Sequence, residues 1–300
     1  MMNIKQFLFA VALVALAFTS DAQNVAYNQH SSIPIPINNA SSFLHPEGEI
    51  NFIGKQQWVG LDGAPKLYRL SASMPFGTKG IMGGLSLSHE TIAVERFGEV
   101  VAFAGKSIQM NEKNFLSVSL GIGASYYNGN YTGLDPIDQA FKDNVRETAG
   151  LLTVGILFHH ANRFYFGLSA PRLSFSKLGL SSSAYQENIY NQYHLIGSSL
   201  IQINNDFDVK PALLATWSRD LSWRADFSTM VYLKKTVGLG ANVRTYGDIA
   251  GMAQFFIKKL SFGYNYQFNT SGGPTRTSAL SNTHEIMVGY RLGKGVLNLL

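Results

Sequence analysis

The chain has 300 residues, no cysteine and a formal net charge of +5. The missing cysteine excludes a disulfide scaffold, a thiolate zinc site, a thiol nucleophile and a lipid on an N-terminal Cys. The charge is too small and too scattered for a nucleic-acid surface. Charged residues make up only 14%, and glycine is 29 of the 300, a balance that suits a wall facing lipid rather than a soluble domain, where about a quarter of residues are charged.

The first element is a targeting segment. Lys5 gives a positive start, Phe7 to Phe18 is an unbroken apolar run, and Ser20-Asp21-Ala22 supplies a small-x-small site. Residues 1–22 therefore read as a signal peptide cleaved before Gln23, not as a membrane anchor. The run is shorter than the roughly 20 apolar residues a spanning helix needs, and no other stretch approaches that length. An exported chain that enters a membrane must then do so through strands. Residues 23–47, with Ile33-Pro34-Ile35-Pro36, read as an extended N-terminal segment on the periplasmic side, and residues 48–300 as one domain.

From Glu49 onward the pattern alternates with period two. In 116–126, Leu116, Val118, Leu120, Ile122, Ala124 and Tyr126 oppose Ser117, Ser119, Gly121, Gly123 and Ser125. In 221–233, Leu221, Trp223, Ala225, Phe227, Thr229, Val231 and Leu233 oppose Ser222, Arg224, Asp226, Ser228, Met230 and Tyr232. In 260–268, Leu260, Phe262, Tyr264, Tyr266 and Phe268 oppose Ser261, Gly263, Asn265 and Gln267. Successive strand side chains point to opposite faces, so each segment has one apolar and one polar face. Strands are expected over 49–59, 66–75, 80–89, 98–109, 114–126, 149–160, 163–171, 190–203, 207–218, 221–233, 236–246, 248–257, 259–269 and 283–292. Three of them, 49–59, 98–109 and 190–203, mix polar and apolar residues on both parities, as a bend, a facing partner or a bulge would produce.

About fourteen strands of this kind predict an all-β fold, a transmembrane antiparallel β-barrel. The connections add an independent signal. Those leaving even strands are short (110–113, 161–162, 204–206, 234–235, 258–259), and the longest, 127–148, 172–189 and 270–282, all leave odd strands. Barrels in the outer membrane have tight periplasmic turns and longer outer loops. A soluble β-sandwich also alternates, but its strands run nearer five or six residues. Aromatics fall near segment ends here (Trp58, Tyr126, Phe164, Tyr193, Trp217, Trp223, Tyr264, Tyr290), where interfacial girdles sit.

An arginine on the lipid face at mid-bilayer costs about 2–4 kcal/mol, so the charged parity faces the lumen and Arg69, Arg224, Asp226, Arg244, Glu285 and Arg291 are expected inside. They either pair with one another and fill the lumen or form a selectivity ring. His159-His160 is the only histidine pair; strand neighbours face opposite ways and cannot chelate one metal. Asp135, Asp138, Asp143 and Glu147 in the long loop match no calcium-loop spacing and read as a solvated face. No Gly-x-Ser-x-Gly elbow or phosphate loop is present. No catalytic residue, cofactor or metal site is expected, and the chain does not read as an enzyme.

One stretch is more specific than pattern: Gln56-Gln57-Trp58-Val59-Gly60-Leu61-Asp62-Gly63-Ala64-Pro65-Lys66, followed by Ser71-Ala72-Ser73-Met74-Pro75-Phe76. It resembles the hallmark of the PorP/SprF family, outer-membrane proteins of the Bacteroidota type IX secretion and gliding machinery. His284-Glu285-Ile286-Met287-Val288-Gly289-Tyr290-Arg291 is similar to the family's closing strand, and Gly83-Gly84-Leu85-Ser86-Leu87 and Asp135-Pro136 fit as well. The family's usual Asn-Pro-Ala-Tyr-Ala-Gly run is replaced by Pro36-Ile37-Asn38-Asn39-Ala40-Ser41-Ser42. The resemblance implies a non-enzymatic barrel that helps secrete a cell-surface adhesin or holds it by its C-terminal domain. Its implied partners are outer-membrane lipid, the adhesin or other cargo and periplasmic type IX components, with no nucleic acid. Gln57, Trp58, Gly60, Asp62, Gly63, Ala64 and Pro65 are then either a structural hairpin or a docking element. Residues 128–147, 172–189 and 270–282 are the candidate outer contacts, and 23–47 the candidate periplasmic one. The alternative is a porin or solute channel with an open charged lumen; fourteen strands can enclose either a channel or a plug.

Overall fold

Period-two alternation becomes two faces of one closed wall in the computed structural model, which describes residues 27–77, 80–134, 143–161, 163–177, 191–218, 221–245, 248–269 and 282–293. The strands are β1 (Glu49–Gln56), β2 (Lys66–Pro75), β3 (Ile81–Ile92), β4 (Glu95–Gln109), β5 (Asn114–Gly129), β6 (Val145–His160) and β7 (Phe164–Lys177). They continue with β8 (Gln192–Ser199, resuming after Leu200 as Ile201–Gln202), β9 (Phe207–Ser218), β10 (Leu221–Leu233), β11 (Val237–Arg244), β12 (Asp248–Ile257), β13 (Leu260–Asn269) and β14 (Thr283–Arg291). Each pairs antiparallel with the next, and β14 returns to β1 with Arg291 opposite Glu49 and His284 opposite Gln56. The sheet has no free edge, as a spanning barrel requires. This is the expected all-β transmembrane barrel.

Several strands run longer than the alternation suggested. β3 continues to Ile92, β4 begins at Glu95, β5 ends at Gly129 and β6 begins at Val145. Their extensions carry Glu95, Arg96, Asn128 and Arg146, residues of a wall standing in water, where nothing forces one face to be apolar. β1, in contrast, stops at Gln56, because Trp58 takes a left-handed φ of 47°. The interruption in β8 is not a bulge, since the register is the same on both sides, Ser198 opposite Ala212 and Ile201 opposite Val209. The cause is Pro211. Its carbonyl faces β8, where it accepts from Ser198 Oγ at 2.9 Å, so the N–H that proline lacks is missing from the same ladder.

The outward face is apolar around the wall. Leu120, Ile122, Phe166, Leu168, Phe227, Leu239 and Ile286 stand exposed, and Tyr126, Phe164, Tyr193, Trp217, Trp223, Tyr264 and Tyr290 face the same way. In water this band would be one continuous adhesive surface. β5, β7 and β13 end, and β6, β8 and β14 begin, at one end of the barrel, the loop end; β4–β5, β6–β7, β8–β9, β10–β11 and β12–β13 close tightly at the other, the turn end. Residues 135–142, 178–190 and 270–281 lie outside the described residues, as do the expected signal peptide and the loop carboxylates Asp135 and Asp138.

The segment expected to extend on the periplasmic side does not do so. From Tyr27 to His45 the chain sits inside the lumen as two short 3-10 helices, η1 (Gln29–Ser31) and η2 (Asn39–Leu44), joined by a turn through Ile33-Pro34-Ile35-Pro36. Tyr27, Ile33, Ile37, Ala40 and Leu44 form one cluster with the inward residues Ile53, Leu67, Leu157, Tyr165, Ile196, Leu214 and Met287, while η2 packs on β4, β5 and β6. This also explains the mixed parity of the first, fourth and eighth strands: Ile53, Phe103 and Ile196 face inward because the lumen has an apolar core of its own.

Leu120 lies midway along β5 with 68% of its surface exposed. Leu120→Arg is expected to lower the unfolding free energy in bilayers by about 2–4 kcal/mol, measured by denaturant titration in lipid vesicles, whereas Leu120→Val changes it little.

Candidate functional site

Six large apolar side chains of the plug (Tyr27, Ile33, Ile35, Ile37, Phe43, Leu44) are buried, each contributing roughly 1.5–3 kcal/mol. Ordering a residue costs about 1–2 kcal/mol in backbone entropy alone, and the plug orders every position from Tyr27 to His45. Apolar burial therefore does not hold the segment by itself, and the wall supplies polar anchors at three levels.

Nearest the loop end, Glu285 of β14 is fully buried. Its carboxylate accepts from the Asn28 backbone N–H at 2.8 and 3.1 Å and from the Gln29 N–H at 2.9 Å. The Asn28 side chain donates to Asn265 Oδ1 at 3.2 Å and to Gln267 Oε1 at 2.9 Å, and accepts from Arg244 Nη2 at 2.9 Å. Arg244 is paired with Asp226 through Nε and lies 3.6 Å from Asp248, while Arg224 stands 3.5 Å from the other oxygen of Asp226. Arg69 covers the Tyr27 ring at 5.5 Å. Charge-assisted bonds to backbone amides in a dry site are among the stronger ones a protein makes.

The middle level is set by a notch in the wall. Asn38 donates through Nδ2 to the carbonyls of Ile156 and Leu168 at 3.0 and 3.2 Å and accepts from Ala40 N–H at 3.0 Å, capping η2. It reaches the backbone because Gly155 and Gly167 flank it: a Cβ at Gly155 would fall 2.2 Å from Asn38 Oδ1, and one at Gly167 would fall 2.7 Å from its Nδ2. Asn39 donates to Thr153 Oγ1 at 2.9 Å, and Ser169 donates to the Ile37 carbonyl at 2.7 Å. On the other side Lys210 donates to the Ser31 carbonyl at 2.8 Å, and Gln254, held by Tyr232, donates to Gln29 Oε1 at 2.9 Å. At the turn-end rim His45 lies 3.9 Å from Glu49 and 3.4 Å from Arg291 Nη2.

All six charged residues singled out in the sequence thus face inward. Arg224, Asp226, Arg244 and Glu285 are brought together around Asn28, Arg69 stands over Tyr27, and Arg291 is apart at the rim. They meet the plug and one another, not an open ring. His159 faces inward beside Phe115 and within 3.3 Å of Ser117 Oγ, while His160 faces outward against Phe164; among the described residues no group of ligating side chains is placed to hold a metal. The plug itself escaped the sequence reading. The sequence does carry a signal: from Ala22 to Pro46 there is not one Lys, Arg, Asp or Glu, only Asn, Gln, Ser, His, Pro, Tyr27, Phe43 and aliphatics, a composition suited to burial among polar walls.

The Gln-Trp motif lies at the loop end as the β1–β2 connection. Gln57 N–H donates to Pro65 O at 2.9 Å, Leu61 to Trp58 O at 3.0 Å and Ala64 to Leu61 O at 3.2 Å. Gly63 is left-handed (φ 74°) and a Cβ there would fall 3.1 Å from Ala93 Cα, because Ala93 N–H donates to the Gly63 carbonyl at 2.8 Å. Val59 N–H donates to Asn282 O at 3.0 Å, so the motif staples the β3–β4 turn to the start of β14. Gln57, Ala64 and Pro65 are buried, Trp58 is half-buried, and Val59, Gly60, Leu61 and Asp62 are exposed.

Residues 19–290 match the family described as Type IX secretion system membrane protein PorP/SprF. No curated protein matches the chain. Among solved structures the barrel is similar to the Acinetobacter baumannii outer membrane protein Omp33 (9% identity, 83% of this chain and 99% of that one, TM-score 0.46). It is also similar to a Pseudomonas aeruginosa FadL homologue (10% identity, 84% and 94%, TM-score 0.47) and to a deltaS2S3 mutant of the TodX monoaromatic hydrocarbon channel (9% identity, 85% and 92%, TM-score 0.48).

Glu285→Ala leaves two buried plug amides without an acceptor, a loss of about 1.5–3 kcal/mol for bonds to a charged group. The expected result is cleavage within 27–45 by added protease while the barrel keeps its heat-modifiable gel mobility; Arg291→Ala, at the rim, leaves the plug protected.

Proposed function

This chain belongs to the PorP/SprF family of type IX secretion system membrane proteins, and we propose that it acts as a closed outer-membrane platform that holds a secreted adhesin at the cell surface by the adhesin's C-terminal domain. It is an outer-membrane component of that secretion system, and on this proposal it also serves surface adhesion and gliding. One observation carries it: the lumen is occupied by the chain's own segment Tyr27–His45, bound at three levels by wall residues. A barrel filled in this way works through its surfaces rather than through its pore. The loop end offers a surface for the task, where the stapled β1–β2 connection presents Val59 and Leu61 to solvent at 40% and 45% exposure on a backbone fixed by its own hydrogen bonds. A preformed apolar edge loses little conformational entropy on binding.

Two measurements test the reading. In planar bilayers the full protein is expected to be silent, and a variant lacking residues 27–45 to conduct ions. A tagged copy from native outer membranes is expected to recover a large surface adhesin, with recovery falling several-fold in Leu61→Glu at unchanged barrel abundance. Steady conductance by the full protein, with no adhesin recovered from cells that express the secretion machinery, would instead make it a diffusion channel.

A further inference from the structure

Five non-glycine residues among those described hold a positive φ: Trp58, Ala93, Lys234, Lys235 and Lys258. The first two build the loop-end staple. The other three are lysines at the turn end, in the neighbouring β10–β11 and β12–β13 connections. Thr236 N–H closes the first turn on Leu233 O at 3.0 Å, and both of its central residues are lysines, at φ 49° and 55°. That type I′ geometry favours Asn-Gly. Ile257 pairs with Leu260 across the second turn, leaving Lys258-Lys259 as its connection with Lys258 at φ 53°. Phe256 N–H donates to Thr236 O at 2.8 Å and ties the two turns together.

Contacts within the barrel do not account for the lysines. Lys234 lies 4.0 Å from Asp206 with 71% of its side chain exposed, a pair of little energetic weight, and Lys235 and Lys258 are exposed. Lys259 differs, donating to the Leu292 carbonyl at 3.3 Å beside the Tyr290 ring. A Cβ is unfavourable in this backbone region, and strain kept at an exposed position points to function.

We propose that Lys234, Lys235 and Lys258 form a cationic docking face for an acidic surface of a periplasmic protein partner. The proposal takes the turn end as periplasmic, as the secretion reading requires. The segment expected to make periplasmic contacts is buried in the lumen from Tyr27 to His45, so such contacts fall to the turns. Phospholipid headgroups meet the whole rim, yet the lysine pairs occupy one sector. The β4–β5 turn across the barrel carries Glu112 beside Lys113, the β6–β7 turn the single cation Arg163, and the β8–β9 turn Asn204-Asn205-Asp206. Cations paired in one sector and single elsewhere fit a partner of limited footprint, with long-range attraction raising its association rate.

The test places a photo-crosslinking residue at Lys258, and at Glu112 for comparison, in the full protein in native cells. The expected result is a protein adduct at Lys258 through an acidic stretch, absent at Glu112. The pair Lys234→Asn and Lys235→Gly relaxes the turn and is expected to raise thermal stability while lowering that adduct several-fold; Lys234→Arg with Lys235→Arg preserves it. Adducts to phospholipid alone, no protein adduct at Lys258, or an adduct indifferent to the Asn-Gly pair would each overturn the proposal. Adhesin recovery measured in the same cells separates its failure from failure of the platform reading.

Discussion

A carboxylate in the inner face of a barrel wall must find donors, and in this protein the donors come from the chain's own N-terminal segment. Lipid outside the wall drives each polar side chain of the alternating strands inward. Glu285, Asp226, Arg244 and Asn265 are thereby gathered in a space with little water, where unpaired polar groups are costly. The amides of Asn28 and Gln29 answer Glu285, the Asn28 side chain links Arg244 to Asn265 and Gln267, and the rest of the plug follows. The wall adapts in return. Gly155 and Gly167 leave room for Asn38, and Ile53, Leu157 and Leu214 face inward to meet its aliphatic residues. Plug and wall are two halves of one core.

The division of labour between the two ends follows from that closure. With the lumen filled, the surfaces in reach of partners are the loop end and the turn end, and the non-glycine residues with left-handed backbone among those described fall at these two places. At the loop end the strain lies in Trp58 and Ala93, inside a hydrogen-bonded staple that fixes an apolar edge. At the turn end it lies in lysines that make few contacts of their own. Among the described residues the middle of the barrel, which faces lipid and plug, has no non-glycine residue with left-handed backbone.

The barrel was legible in the sequence because a lipid environment imposes a strict rule on one face. Phe227 and Leu120 could be assigned outward, and Asp226 and Ser119 inward, from parity alone. The rule lapses where lipid ends, so the wet extensions through Glu95, Asn128 and Arg146 were hidden. It also lapses where the lumen is apolar, and β1, β4 and β8 looked irregular for that reason. The break at Leu200 belonged to Pro211 on the next strand, a long-range effect that no local pattern in 190–203 records. The plug reads as an extended segment because Ile33-Pro34-Ile35-Pro36 fits both descriptions; the absence of charge from Ala22 to Pro46 is the distinguishing sign. The inward charges were readable as inward, but their convergence on Asn28 depends on which strands become neighbours when the sheet closes.

The account stands on the plug being seated in the lumen of the mature protein in its membrane, and a disulfide is the most direct probe of it. The chain has no cysteine, so Asn39→Cys with Thr153→Cys introduces a single pair at positions whose side chains touch at 2.9 Å. Oxidation of intact outer membranes is predicted to join the two within the same chain, giving a faster-migrating denatured band that thiol reduction abolishes. Free thiols at both positions, labelled by a water-soluble maleimide under the same conditions, would show that the lumen is not closed in this way.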